Sequence, residues 1–153
     1  MNLHQKVISI IFEKAVSNLL DLNGFSNLNS FSNGIDIYIR DLDLYIEIKS
    51  SFRYCKNNKK NTKRKFRFSQ YSFKANELLG CQDFYIFIEK VNTIDDFHYI
   101  GKLIIFVVKT SIIREYMFSK SMDLLIRHQI STNVIKKLTK YSINDFIDLI
   151  KND

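Results

Sequence analysis

The sequence has no proline or tryptophan, four glycines and two cysteines in 153 residues. We have no physical explanation for the absence of proline. Two cysteines, Cys55 and Cys81, are too few for a disulfide framework, so we expect both to be reduced thiols. The three histidines, His4, His98 and His128, are scattered, and no cysteine–histidine pair has the spacing of zinc ligands. A structural zinc site is therefore not expected.

Long apolar runs are also missing. No apolar stretch approaches the roughly 18 residues that a membrane span needs. Met1–Lys6 lacks the pattern of a signal peptide, and Glu13 and Lys14 interrupt the apolar stretch that follows. We therefore expect a soluble, cytoplasmic protein with no membrane partner. The length predicts one domain over residues 1–153, and a hydrophobic content of 46%, with 13 Phe and 8 Tyr, is enough for a core.

Acidic residues are missing from one part of the chain. Ile48–Asn76 contains ten Lys or Arg residues and no Asp or Glu. The remainder has 13 basic and 16 acidic residues, so this segment alone gives the protein its formal net charge of +7. Such a local concentration of positive charge predicts a polyanionic partner that binds at one place.

The residues that are present follow helical and strand periodicities. The apolar face of the first helix comprises Ile8, Ile11, Phe12, Ala15, Val16 and Leu19, and Asn23-Gly24 ends that helix. The predicted helices are Leu3–Leu22, Phe68–Leu79, Ser111–Ile130 and Asn133–Lys151. The predicted strands are Ile35–Arg40, Leu44–Ser50, Phe84–Val91 and Leu103–Val108, with loops at Ser26–Asn33 and Arg53–Lys65. This order predicts an α/β domain with a central mixed sheet flanked by helices.

The first two strands form a hairpin that places two acidic side chains together. If the turn is centred on Asp41-Leu42, Tyr38 faces Tyr45 and Asp36 faces Glu47. Directly opposed residues have Cβ atoms about 4.5–5.5 Å apart. The aliphatic faces of the two strands align in the same register, which supports it independently.

Two carboxylates this close repel each other unless a cation joins them. A hard divalent ion, Mg²⁺ or Mn²⁺, takes oxygen ligands, and the adjacent main-chain carbonyl of Ile48 offers a third. Lys49 emerges on the same face, where it can orient a water or neutralise charge on a phosphate. These groups suit metal-assisted hydrolysis of a phosphodiester. The alternative is that the charges form the solvated face of an ordinary hairpin.

Three sequence features together resemble one family. Gly34-Ile-Asp36, followed after ten residues by Glu47-Ile-Lys49-Ser50, resembles the D…(D/E)XK signature of the PD-(D/E)XK nucleases. These include many restriction endonucleases and the archaeal Holliday junction resolvases. Phe12-Glu13 and the Leu-rich stretch that leads to Gly24-Phe25 resemble the first helix of the family. Ser69-Gln70 resembles a Ser/Gln element of its resolvase-like and Mrr-like branches, so the resemblance covers Leu3–Val91.

The resemblance implies a restriction endonuclease-like core, with extra C-terminal helices, that acts as a Mg²⁺- or Mn²⁺-dependent endonuclease on DNA. It makes Asp36 and Glu47 metal ligands and Lys49 the catalytic lysine. It also assigns Glu13 to hold the metal or its water, and Gln70 to assist near the site. The alternative for these last two is a surface helix residue and a polar residue at a helix N-terminus.

The sequence departs from the family pattern in one respect. Ile35 stands where the family often has proline before the aspartate.

A basic segment follows the hairpin directly. Its cations are Arg53, Lys56, Lys59, Lys60, Lys63, Arg64, Lys65 and Arg67. Each phosphate neutralised releases counterions, so the segment predicts salt-dependent binding to nucleic acid. The aromatic residues that flank it either stack on unpaired bases or belong to the core. The alternative for the cations is a solubilising loop.

Two other functions remain open. One is a catalytically inactive nuclease fold that only binds nucleic acid, and the other is an interaction protein whose basic segment meets an acidic partner. The resemblance also makes a homodimer possible, because many PD-(D/E)XK nucleases cut two strands as symmetric dimers. The C-terminal residues that could form its interface, or belong to the core, are Ile112, Tyr116, Leu124, Leu125 and Phe146.

Overall fold

The computed structural model describes residues 3–32, 35–53, 55–56, 65–66, 70–91 and 102–152. Five of the eight predicted nucleic-acid-binding cations lie outside these ranges: Lys59, Lys60, Lys63, Arg64 and Arg67. The same holds for the predicted link between the last two strands, residues 93–101.

The first helix, α1, spans Leu3–Leu22, as its apolar spacing predicts. Its buried side is formed by residues four apart in sequence: Ile8, Phe12, Val16 and Leu20. Ile11 was expected on that side but is 56% exposed. Gly24 ends the helix with φ +88°, where glycine has no steric penalty, and Phe25 N donates to Leu20 O at 2.9 Å.

Nine strands lie within the described residues, and two of them form the predicted hairpin. They are β1 (Leu28–Ser32), β2 (Ile35–Ile39), β3 (Leu44–Arg53), β4 (Cys55–Lys56), β5 (Lys65–Phe66), β6 (Gln70–Phe73), β7 (Phe84–Val91), β8 (Lys102–Lys109) and β9 (His128–Ser131). Five of them form one sheet in the order β1-β2-β3-β7-β8. Only the β3–β7 pair within this sheet is parallel. The predicted central mixed sheet is therefore confirmed.

Helices cover both faces of this sheet. The remaining helices are α2 (Thr110–Ser119), α3 (Thr132–Lys137) and α4 (Ile143–Lys151). Successive side chains of a strand point to opposite faces. Phe84, Ile86 and Ile88 of β7 accordingly join a first buried cluster with α1 and α4. Tyr85 and Phe87 join a second cluster with β6, β9, α2 and α3.

Two predicted elements are wrong because strand pairing, and not local composition, determines them. The predicted loop Ser26–Asn33 contains β1, whose polar residues pair antiparallel with β2 at the edge of the sheet. The predicted helix Phe68–Leu79 contains β6, which pairs with β9 about 60 residues later. Tyr71 and Phe73 are buried while Gln70 and Ser72 are exposed, so the strand alternates over its four residues.

The C-terminal third is less helical than predicted. The predicted helix Ser111–Ile130 ends as α2 at Ser119, and its last residues form β9. Asn133–Lys151 is divided into α3 and α4, and between them Tyr141 exchanges main-chain hydrogen bonds with Val107 at 2.8 and 2.9 Å. No helix within the described residues is long and apolar enough to cross a membrane.

The residues considered for a dimer interface pack mostly within one chain. Phe146 is fully buried against Phe84, with ring centroids 4.9 Å apart. Ile112, Tyr116 and Leu124 pack at the margin of the second cluster, and Leu125 is exposed. Core packing therefore accounts for Phe146.

The start of α4 offers a prediction about stability. Ser142 Oγ accepts a hydrogen bond from Asp145 N at 3.0 Å and so caps the first turn of the helix. Removing it in Ser142→Ala should cost about 1 kcal/mol, which lowers Tm by about 2–4 °C in a chain of this size. Thermal unfolding measures this, with Ser111→Ala in the exposed first turn of α2 as the control. Equal effects of the two changes would contradict the capping role.

Candidate active site

The hairpin has the predicted register. Tyr38 pairs with Tyr45 and Ile37 with Ile46, and the two tyrosine rings stack with centroids 4.6 Å apart. This register places Asp36 opposite Glu47, close enough for each carboxyl group to shift the pKa of the other.

A difference in strand length creates space beside this pair. β2 has 5 residues whereas β3 has 10, so β3 continues beyond the end of its partner. At this point Asp36 Oδ2 accepts a hydrogen bond from Ile48 N at 2.7 Å. The side chain of Asp36 thus accepts the hydrogen bond of a β3 N–H group that would otherwise need a main-chain acceptor. This bond fixes the Asp36 carboxyl group against β3.

Burial dominates the electrostatics of the pair. It raises the pKa of Asp36, although the hydrogen bond from Ile48 N acts in the opposite direction. Burial also raises the pKa of Glu47, and the charge of Asp36 raises it further. Glu47 is 9% exposed, and its Oε2 is a buried atom with no hydrogen-bond partner within the described part of the chain. A buried carboxylate oxygen without a partner is unfavourable unless another group binds it.

These donors fit a hard divalent cation. The carboxylates of Asp36 and Glu47 and the main chain of Ile48 line one cavity, which Glu13 also lines from α1. Among the residues that the structure describes, no three Asp, Glu, His or Cys side chains are close enough to hold one ion. Mg²⁺ commonly takes one or two carboxylates and completes its coordination with water and substrate phosphate. Two carboxylates with an adjacent carbonyl are consistent with that pattern.

The cavity has a volume of about 400 Å³ and brings together acids, cations and hydroxyl groups. Its lining residues are Ser9, Glu13, Asp36, Glu47, Ile48, Lys49, Ser50, Ser72, Lys74 and Arg127. Ser9 Oγ lies 3.0 Å from Ser50 Oγ, which ties α1 to β3. Glu13 follows Ser9 by one helical turn, so the same contact brings Glu13 to the cavity.

Two cations in the lining were missed by sequence reasoning. Lys74 follows β6 and Arg127 precedes β9, so the antiparallel pairing of these strands brings the two together. Asn76 N donates to Leu124 O at 2.8 Å and holds the adjoining loops. Lys74 lies in the acid-free segment but was assigned to a helix, and no local signal identifies Arg127.

Lys49 lines the cavity, and its ammonium group forms an ion pair with Glu77. Lys49 Nζ lies 2.7 Å from Glu77 Oε1 and 5.3 Å from the centre of the Phe73 ring. Sequence reasoning also missed Glu77, which lies 28 residues from its partner. An ammonium group has three donors, so the ion pair leaves others for a substrate or water.

Gln70, Asp41 and Cys81 are not among the residues that line this cavity. The structure places Gln70 in β6 and not at the start of a helix, so that part of the prediction is wrong. Its main-chain oxygen accepts from Ser51 Oγ at 2.8 Å, and its exposed side chain does not line the cavity. Asp41 is exposed at the hairpin turn, and Cys81 is an exposed free thiol.

Two short strands within the basic segment pair with each other. Cys55 pairs with Phe66 and Lys56 with Lys65, so β4 and β5 form a short antiparallel ladder. The predicted loop Arg53–Lys65 is therefore paired at both ends, within the part of it that the structure describes.

Comparison with protein-family models, with curated proteins and with solved structures finds no match to the chain. The residues and geometry of this cavity are therefore the basis for inferring a function.

Proposed function

We propose that this protein is a metal-dependent endonuclease of the PD-(D/E)XK type that hydrolyses phosphodiester bonds of DNA. One observation carries the proposal. Asp36 and Glu47 lie opposite each other at the end of β2, and the buried Oε2 of Glu47 has no hydrogen-bond partner within the described residues. Because Lys49 lines the same cavity, the three residues of the motif meet at one place.

The carboxylates of Asp36 and Glu47 and the carbonyl of Ile48 would hold Mg²⁺ or Mn²⁺. When bound, such an ion acts as a Lewis acid toward phosphate oxygen and lowers the pKa of water. Glu13, which lines the cavity from α1, is placed to orient a water molecule there. Lys49 supplies a positive charge that stabilises negative charge developing on the phosphate.

A nuclease must also attract a polyanion, and residues on other elements supply the positive charge for this. Lys74 and Arg127 line the cavity, and an arginine can bind a phosphate with two parallel hydrogen bonds. The hydroxyl groups of Ser50 and Ser72 add uncharged donors to the same lining. The basic segment Arg53–Arg67 would then extend the contact with the phosphate backbone.

A panel of labelled DNAs tests the proposal: duplex, single strand, flap and four-way junction. Cleavage is expected with Mg²⁺ or Mn²⁺ and should stop with a chelator, whereas Ca²⁺ should permit binding without efficient turnover. Divalent-independent cleavage by the pure protein would overturn the metal site. A Glu47→Gln variant purified in parallel controls for a contaminating nuclease.

The same panel separates the rival functions. Salt-sensitive binding of DNA without Mn²⁺-dependent cleavage would favour a nuclease fold that only binds nucleic acid. Failure to bind any of these DNAs at low salt would favour an interaction protein with an acidic partner.

A further inference from the structure

Lys49 belongs to a buried hydrogen-bonded network on the side of β3 that contacts β7. Glu77 Oε1 pairs with Lys49 Nζ at 2.7 Å, and Glu77 Oε2 accepts from the Tyr85 hydroxyl at 2.8 Å. Gln82 Nε2 donates to the Tyr85 hydroxyl at 2.9 Å and to the main-chain oxygen of Glu77 at 2.5 Å. Both carboxylate oxygens of Glu77 are therefore engaged, and the carboxylate cannot rotate without breaking a contact.

The network is protected from water. The side chain of Lys49 is 13% exposed and that of Glu77 is 6% exposed, and Tyr85 is fully buried in β7. Burial and the charge of Glu77 raise the pKa of Tyr85, so its hydroxyl remains a donor. Removing one partner of a buried ion pair leaves the other charge uncompensated, and that charge then seeks a new partner.

The two carboxylates of the proposed metal site line the same cavity as Lys49 and offer it alternative partners. The charge of Lys49 already acts on both Asp36 and Glu47. A second cavity, of about 470 Å³, shares Glu47 and Lys49 with the first, and Glu77 lines it. Glu77 thus holds the lysine at the wall between the two cavities.

We propose that Glu77 is a positioning residue that keeps the Lys49 ammonium group away from Asp36 and Glu47, so that these carboxylates remain open to a divalent cation. This inference rests on the proposed function. Without Glu77, the lysine forms an ion pair with the carboxylates and competes with the cation. Tyr85 and Gln82 support the position of Glu77 itself.

The test measures Mn²⁺ binding without DNA, from the dependence of Tm on Mn²⁺ concentration. Glu77→Gln should raise the half-saturating Mn²⁺ concentration by about 10- to 100-fold, the size of effect typical of changes to the outer shell of a metal site. In a Lys49→Met background the competitor is absent, so the same change should have little effect. Glu115→Gln, an exposed glutamate on α2, is the charge-matched control.

Cleavage provides the second readout. Glu77→Gln should lower the single-turnover rate at subsaturating Mn²⁺ and leave affinity for DNA unchanged, and higher Mn²⁺ should recover part of the rate. A structural role alone would lower Tm without altering the Mn²⁺ dependence, and that result would overturn the inference. So would an equal shift in the wild-type and Lys49→Met backgrounds.

Failure of the two proposals can be told apart. A wild type that neither binds Mn²⁺ nor cleaves DNA overturns the proposed function, and this inference with it. A wild type that does both, while Glu77→Gln behaves like Glu115→Gln, overturns the inference alone.

Discussion

Glu47→Gln should abolish cleavage and at the same time raise the stability of the metal-free protein. Removing one group that stabilises the transition state electrostatically typically costs roughly 100- to 1,000-fold in rate, and loss of a metal ligand should cost at least as much. The stability effect has the opposite sign because the pKa of Glu47 is raised, which means that its ionised form is disfavoured in the folded state. Metal-free wild type should therefore lose stability as pH rises above the ordinary range of a glutamic acid, and the neutral glutamine removes that loss.

The two effects are measured separately. Single-turnover cleavage in Mn²⁺ measures the loss of activity. Tm measured in a chelator across roughly pH 5–9 measures the change in stability, because this interval lies above the ordinary pKa of a glutamic acid. Adding Mn²⁺ should raise the Tm of the wild type and leave that of Glu47→Gln unchanged. Asp36→Asn should behave in the same way, whereas Asp41→Asn, an exposed carboxylate of the same hairpin, should resemble the wild type. Cleavage by Glu47→Gln at the wild-type rate would show that the active site lies elsewhere.

Replacing Lys59, Lys60, Lys63 and Arg64 together by Ser should weaken binding to every DNA sequence about equally, because phosphate contacts carry no base information. If about four cations of the basic segment reach phosphates, the slope of log affinity against log salt is about −3 to −4. Wild-type affinity should then fall roughly 60- to 250-fold between 50 and 200 mM salt. The variant should lose most of this dependence and recover much of its cleavage rate at saturating DNA.

A salt titration of binding and single-turnover cleavage at saturation test this. Replacing Lys120, Lys136, Lys137 and Lys151, four exposed cations of the C-terminal third, provides the control with the same change of charge. An unchanged slope in the first variant would mean that the segment only improves solubility. A retained slope with lost cleavage at saturation would place one of its cations in the catalytic centre.

The parts of the fold that the sequence predicted well are those set by local contacts. The bounds of α1 follow from helical spacing and a glycine cap, and both lie within 24 residues. The hairpin register follows from strict alternation on two strands joined by a short turn. Asp36, Glu47 and Lys49 all lie on this hairpin, so their meeting at one cavity could be anticipated.

Apart from β1, which pairs with the adjacent β2, the parts that were missed depend on partners far away in sequence. β6 has alternation over four residues, too few to distinguish from one turn of helix, and its partner β9 is about 60 residues away. Lys74 and Arg127 reach the cavity through that pairing, and Glu77 reaches Lys49 through the turn after β6. No local pattern of residues marks these side chains, so only the strand pairing shows that they reach the cavity.

The residues of the cavity belong to elements that pack in two different buried clusters. Asp36 and Glu47 lie on a hairpin whose aliphatic face packs in the first cluster, whereas Lys74 and Arg127 adjoin β6 and β9, which pack in the second. Changes at separate sites without shared partners have nearly additive effects. Phe73 and Gln70 of β6 contact Lys49 and Ser51 of β3, but the remaining residues of the β6–β9 ladder can diverge in sequence, or be redesigned, to accept a differently shaped polyanion while the acidic pair keeps its geometry. On the proposed function, a lineage of such proteins could change its substrates by exchanging one small ladder.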